Sequence, residues 1–275
     1  MSKTILITGA SSGFGKGTAI GLAKKGHRVI AAVHVEPLKT ILLEEAKKEN
    51  VELEVIVLDV TKASDRQYAA ERYDVDVLMS NAGVMETGPV AEIPIENVRR
   101  NYEVNVFAPL QLVQAFLPKM VKKGKGKVVF TSSMGGLITV PFAAIYTSTK
   151  HALEGIAEGL KEELTGTGVE ICTVNPGVFG TGFNDRGAET LLKWWNPEVS
   201  LSKPEIIQAF TDPTALEQQL DPQVMIDAMI RVAEEENSLF RNVIPEAIIP
   251  WIKATQEQAW KARTNDMLTV NPDSH

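Results

Sequence analysis

The chain has 275 residues, with 28 basic and 35 acidic side chains and a formal charge of −7. Its length suits one large α/β domain, and 44 % hydrophobic with 23 % charged residues excludes a disordered or collagen-like chain. The acidic balance removes the electrostatic case for nucleic acid, and the single cysteine, Cys172, leaves no disulfide framework and no cysteine-based metal site.

The opening Met1-Ser2-Lys3 is unlike a signal or transit peptide. No apolar run approaches the ~18 residues of a membrane helix. A cytoplasmic protein without membrane contact is therefore expected.

Short runs rich in Val, Ile and Leu then alternate with helical patterns. The runs lie at Thr4–Thr8, Arg28–Val33, 54–58, 75–79, 127–131 and 169–174. Near-continuous apolar runs of this length are strands covered on both faces, the mark of a parallel sheet. Between them, Leu38, Ile41 and Leu42 mark one helix. Val106, Leu110, Val113, Leu117 and Met120 mark a longer one, and Ala152, Ile156, Leu160 and Leu164 a third. The alternation predicts a doubly wound, Rossmann-like α/β fold.

Residues 184–275 read differently. They hold all four tryptophans, are rich in proline, and show helical pieces such as 222–235 but no second core pattern. A helical substrate lid is expected there, on a dinucleotide-binding and catalytic core at 1–183 within a single domain. The lysine run Lys119, Lys122, Lys123, Lys125 and Lys127 reads as a solvated helix-to-strand loop. His27 and His151 have no partner at metal-ligand spacing, so no metal is expected.

Chemistry concentrates at four places. Thr8-Gly9-Ala10-Ser11-Ser12-Gly13-Phe14-Gly15 follows the first strand and opens a helix, where a glycine turn and free helix N–H groups suit a pyrophosphate. Tyr146 and Lys150 lie four apart, on one helix face. A free phenol titrates near pH 10, and an adjacent ammonium lowers that toward the working range. Ser133 lies just past the strand ending at Thr131, where this fold binds ligands.

Together these motifs resemble the short-chain dehydrogenase/reductase family in its short branch. The likeness covers residues 4–181 and rests on motifs in order: the glycine turn, Asp59 and Val60 after the third strand, Asn81-Ala82-Gly83 after the fourth, Asn105, Ser133, the Tyr146/Lys150 pair, and Asn175-Pro176-Gly177 before Thr181. The resemblance implies an NAD(P)-dependent oxidoreductase that interconverts a carbonyl and an alcohol on a small-molecule substrate. Tyr146 would be general acid/base and Lys150 its electrostatic partner and ribose contact. Ser133 would stabilise charge on the substrate oxygen, and Asn105 would hold a relay water. Gly9, Ser11, Ser12, Gly13, Phe14 and Gly15 would bind the pyrophosphate. Asp59, Val60, Asn81, Ala82 and Gly83 would line the adenosine side, and Pro176, Gly177, Phe179 and Thr181 the nicotinamide end. A homodimer or homotetramer built on the helices near 102–122 and 146–164 is also implied.

Departures carry information. The second strand ends Val33-His34-Val35, with no carboxylate to bind a ribose 2′-hydroxyl or repel a 2′-phosphate, and His34 falls where relatives using NADP often carry arginine. NADP(H) is favoured over NAD(H). Only 21 residues separate Asp59 from Asn81, which predicts a short helix near 64–72. Phe179 replaces the usual aliphatic residue. Met134, Phe142, Phe183, Trp194 and Trp195 near the expected pocket favour an apolar substrate. Two alternatives stand beside this reading. A catalytically silent dinucleotide-binding regulatory or scaffold protein would bind cofactor without turnover. An epimerase or dehydratase relative would carry glycine where Ser12 stands.

Overall fold

Which way each strand residue points decides which layer it packs against. In the computed structural model, which describes residues 1–212 and 219–268, β1 (Thr4–Thr8) sends Ile5 and Ile7 into one hydrophobic cluster and Leu6 into another. That period of two is the pleat itself, and both faces are dry because helices cover both.

The chain continues through α1 (Gly13–Lys24), β2 (Arg28–Val33), α2 (Glu36–Lys48), β3 (Glu54–Val57), α3 (Ala63–Arg72) and β4 (Val77–Ser80). Next come α4 (Ile95–Tyr102) and α5 (Ala108–Lys123), joined by a π-helical turn at Glu103–Phe107. Then follow β5 (Gly126–Thr131), a 3₁₀ turn at Met134–Gly136, α6 (Ala144–Glu163) and β6 (Val169–Pro176). The last part holds α7 (Phe183–Leu192), α8 (Pro204–Thr211), α9 (Pro222–Glu234), β7 (Arg241–Ile244) and α10 (Ile249–Lys261).

The seven strands are all parallel, in the order β3-β2-β1-β4-β5-β6-β7. The order reverses between β1 and β4, and a doubly wound sheet opens its ligand crevice at that switch point, beyond the carboxyl ends of the strands. The Thr8 hydroxyl closes the crevice floor by accepting from the backbone N–H groups of Asn81 and Ala82, each at 3.0 Å.

One cluster packs β1, β2 and β6 side chains with Leu22 of α1 and Met225 and Met229 of α9. The other packs Leu6, Leu78, Val128 and Phe130 with Leu112, Phe116 and Leu153 of α5 and α6. Full burial of each Leu or Phe contributes roughly 1.5–3 kcal/mol against the chain entropy.

Four expectations need correction. The division into a core at 1–183 and a lid beyond does not hold, because α9 packs on α1 and β7 pairs with β6 as the sheet's last strand. Arg241–Ile244 is too short, and too isolated from other strand signals, to read as a strand from its sequence. Second, the helix marked from Val106 to Met120 begins later as α5, because Asn105 and Val106 lie in the π-helical turn that joins it to α4. Third, that continuous helix, Ile95–Lys123, is long and apolar enough to cross a membrane by length and composition alone, although no single uninterrupted apolar run suggested one. Its Leu112, Phe116 and Met120 pack into the second cluster.

Fourth, the lysine run is not uniformly solvated. Lys127 is buried, pairing with Glu170 at 3.1 Å and donating to the Glu235 carbonyl at 2.6 Å. Lys119 donates to the carbonyls of Ala70, Glu71 and Tyr73, closing the end of α3. Cys172 lies buried in β6 as a free thiol, which burial pushes up to about 11.

Candidate active site

The turn after β1 has the backbone its glycines predict. Gly9 sits at φ +67° and Gly13 at +51°, in the left-handed region. Gly15 is there for space: a Cβ at that position would lie 2.4 Å from the Gly9 carbonyl oxygen and 2.6 Å from Asn81 Nδ2. Ser12 begins α1 in an extended conformation and makes no side-chain cap, so the first N–H groups of the helix face the cavity.

A cavity of about 580 Å³ runs from this turn across the strand ends. Gly9, Ser11, Ser12, Gly13, Phe14 and Gly15 line its first part, with His34, Asp59 and Val60 at one rim. Asn81, Ala82 and Gly83 form the middle, and Ser133, Tyr146, Lys150, Pro176, Gly177, Phe179 and Thr181 the far end. Every site residue named from the sequence is thus brought to one surface except Asn105.

Asn105 is buried. Its Oδ1 accepts from the Val84 N–H at 2.9 Å, and its Nδ2 donates to the Val84 carbonyl at 2.8 Å and to Thr149 Oγ1 at 3.1 Å. The side chain ties the loop after β4 to α6, so its amide is spent on protein partners and does not face the cavity. Asn81 is likewise a tie, donating to the Thr8 carbonyl at 2.9 Å and accepting from Thr131 Oγ1 at 3.2 Å.

At the rim, burial pulls the Asp59 carboxyl upward. Hydrogen bonds from the Thr61 hydroxyl and N–H (2.7 and 3.0 Å), with the nearby Lys62 and His34, outweigh it and hold the group below the usual aspartate range. At the opposite end Phe14 meets Phe179 edge to face at 5.5 Å, which locks α1 to the loop after β6. The large residue at 179 therefore fills a gap beside α1.

Tyr146 and Lys150 project from one face of α6, and Ser133 reaches them from the turn after β5. Ser133 Oγ bonds the Tyr146 phenol and accepts from the Gly135 N–H at 3.0 Å. Burial pushes the phenol up to about 12, and the Ser133 bond acts against that rise. Lys150 donates to the Thr131 carbonyl at 2.8 Å, and its Nζ lies 5.6 Å from the centre of the Tyr146 ring. Burial pushes that ammonium down to about 8, opposed by the carboxylate of Glu154. The causes that act on the phenol are burial and the Ser133 bond.

Near the tyrosine the wall is Val84, Met85, Val104, Met134, Val140, Ala143 and Phe183, with Phe183 5.8 Å from the Tyr146 ring. Met134 and Phe183 were expected there. Phe142, Trp194 and Trp195 are not in the lining: Phe142 pairs with Phe210 at 5.1 Å, and Trp194 packs against Gly88. Two cations do reach the wall, although those segments show no basic cluster. Arg100 pairs with buried Glu86 at 3.0 Å, and Arg186 comes from α7. No motif marks these wall residues, since their role is set by where loops meet. Among the described residues no three His, Cys, Asp or Glu side chains gather as a metal cluster.

These features are those of a dinucleotide-dependent dehydrogenase, and the model of the short chain dehydrogenase family matches residues 3–191. The chain belongs to that family and is an NAD(P)-dependent oxidoreductase. A 3-ketodihydrosphingosine reductase of Bacteroides thetaiotaomicron is 35 % identical over 187 residues, covering 66 % of this chain and 65 % of that one. A short-chain dehydrogenase structure from Streptomyces avermitilis superposes with a TM-score of 0.77 at 28 % identity, covering 94 % of both chains. Actinorhodin polyketide ketoreductase with NADPH superposes at 0.73 and 26 % identity, covering 88 % of this chain and 95 % of that one.

Proposed function

We propose that the protein interconverts a ketone or aldehyde and the corresponding alcohol on a small apolar substrate, with Tyr146 as the general acid/base. The observation that carries this reading is the meeting of Tyr146, Ser133 and Lys150 at the end of a cavity that begins at the glycine turn.

The residues present fit a dinucleotide. The glycine turn leaves no room for side chains at Gly15, the start of α1 offers free N–H groups, and Asp59 and His34 flank the far rim. Gly9–Gly15 would hold the pyrophosphate, and Lys150 the nicotinamide ribose. The nicotinamide supplies hydride to the carbonyl carbon, or takes it from the alcohol, when bound.

The protein handles the proton. In reduction the Tyr146 hydroxyl donates its proton to the substrate oxygen, while Ser133 Oγ donates a hydrogen bond to that oxygen as charge builds. In oxidation the phenolate takes the proton back. The 580 Å³ cavity, with Met85, Met134, Val140 and Phe183 at its catalytic end, supports an apolar substrate.

NADP(H) is the favoured cofactor on this reading, because Val33, His34 and Val35 place no carboxylate at the end of β2 and His34 lines the rim. The setting is cytoplasmic and the protein self-associates through α5 and α6. Gly155 of α6 supports that, since a Cβ there would meet nothing within 4 Å and leaves room for a close partner helix, and Phe107, just before α5, is exposed. Tyr146→Phe tests the core of the proposal: turnover is lost while NADPH binding, followed by nicotinamide fluorescence, changes less than about threefold. Retained turnover would overturn it.

A further inference from the structure

Beyond Tyr146, Ser133 and Lys150, the face of α6 carries one more buried ionisable group. Glu154 is 4 % exposed, one helical turn after Lys150. Its Oε1 accepts from Asn175 Nδ2 at 2.7 Å, and its Oε2 accepts from Arg241 Nε at 2.8 Å. Asn175 Nδ2 also donates to the backbone carbonyl of Ser133, at 3.2 Å, and Asn175 Oδ1 is fixed by the Thr173 hydroxyl at 2.9 Å.

Three elements distant in sequence are thereby joined: β7 through Arg241, α6 through Glu154 and β6 through Asn175. They end on the turn that carries Ser133. Gly136 of that turn has no room for a Cβ, which would meet Ser132 Oγ at 2.6 Å and Glu154 Cγ at 3.0 Å. A buried carboxylate with a cation on one side and an amide on the other is a costly arrangement to keep for packing alone, since an apolar set of similar volume is often as stable.

We propose that Glu154, clamped between Arg241 and Asn175, is a positioning residue for this site: it fixes the Ser133 turn through Asn175 and provides the negative charge that faces Lys150. The inference rests on the reading of Tyr146 and Lys150 as the reacting pair. Glu154 is also the charge that acts on Lys150, in the sense opposite to burial.

The surroundings contribute little else. On α6, Glu158 pairs with the outer side of Arg241, and His151 bonds the Thr147 carbonyl at 2.9 Å. The 3₁₀ turn at Met134–Gly136 carries no charge, and the Glu170 of β6 is engaged by Lys127 at the other end of that strand. Arg100 of α4 is held by Glu86, and Glu103 of the π-helical turn is exposed.

Glu154→Gln keeps the shape and removes the charge. In protein labelled with ¹³C-lysine, the Lys150 Cε resonance is identified by its loss in Lys150→Arg, and its titration needs no substrate. The expected result is a Lys150 midpoint lower by about half to one pH unit in Glu154→Gln, from an effective dielectric near 20. The alkaline limb of carbonyl reduction moves down with it, and NADPH affinity stays within threefold.

Asn175→Ala loosens the Ser133 turn without changing charge. It lowers kcat at every pH and leaves the Lys150 midpoint in place. Should Glu154→Gln not fold, Arg241→Gln keeps the Glu154 charge and removes the cation paired with it, and the Lys150 midpoint rises. A wild-type midpoint in folded Glu154→Gln overturns the proposal, as does a midpoint that does not rise in Arg241→Gln or an equal shift in Asn175→Ala. Wild-type protein that binds NADPH, shows the Lys150 shifts and turns over no carbonyl would sink the catalytic reading and leave the Glu154–Lys150 coupling standing.

Discussion

Lys150 Nζ donates to the Thr131 carbonyl at 2.8 Å while standing 5.6 Å from the centre of the Tyr146 ring. A strand-end carbonyl thus sets where the ammonium sits, and the site holds a cation in a dry place. Burial lowers that ammonium from 10.5 to about 8. The folded state therefore binds the proton less readily than the unfolded chain does. The cost is complete below pH 8, shrinks between pH 8 and 10.5, and is absent above.

Lys150→Met should accordingly stabilise the fold at pH 7 by on the order of 1–3 kcal/mol and abolish turnover. The Thr131 carbonyl left without its donor trims the gain. Urea melts at pH 7 and pH 10 check this. A difference from wild type that is the same at both pH values contradicts the assignment of the cost to the buried charge.

Ser133 holds the Tyr146 phenol below the value burial alone would set. Its loss in Ser133→Ala raises the phenol further. Alcohol oxidation needs the phenolate, so the pH at which its rate climbs moves upward, and kcat falls by about 10²-fold from the lost stabilisation of the substrate oxygen. Steady-state rates between pH 7 and 11 would show it. A rate profile that keeps its shape in Ser133→Ala argues against the hydrogen bond as a tuning contact.

Gly15→Ala places a methyl 2.4 Å from the Gly9 carbonyl oxygen. Both partners are backbone, so neither swings aside. Destabilisation of about 2 kcal/mol or more is expected, together with at least tenfold weaker NADPH binding. Thermal melts and a fluorescence titration read the two effects separately.

His34→Arg adds a permanent charge at the adenosine rim, where His34 already faces Asp59. NADPH binding should tighten several-fold with NADH little changed, because guanidinium grips a phosphate in a fork. An unaltered ratio of the two affinities would remove His34 from the 2′-phosphate position. Nicotinamide fluorescence is the suitable signal, since Trp194 and Trp195 do not line the cavity.

Strand periodicity and the order of motifs made six strands and much of the cavity lining legible from residues alone, because a turn such as Gly9–Gly15 has local requirements that only certain residues meet. Observed strands differ by a residue or two at their ends: β4 starts at Val77 and not at 75, and β6 runs on to Pro176. Three things stayed out of reach. β7 is four residues long and owes its existence to pairing with β6, a contact that local pattern does not encode. Asn105 carries the family motif, yet whether an amide faces a cavity or a loop depends on tertiary contacts. Arg100 and Arg186 meet at the cavity wall only through the packing of α4 and α7.

Just beyond the end of β6 the chain is stitched to the residues that precede α9. Leu220 N–H donates to the Val178 carbonyl at 3.0 Å, Gly180 N–H to the Leu220 carbonyl at 2.9 Å, and Phe179 bridges Leu220 in parallel. Such a stitch fixes the point from which the next residues are hung. Thr181, just beyond it, lies against Gly13, and Phe183 lies against the Tyr146 ring, so one pair of backbone hydrogen bonds sets the height of two walls at once.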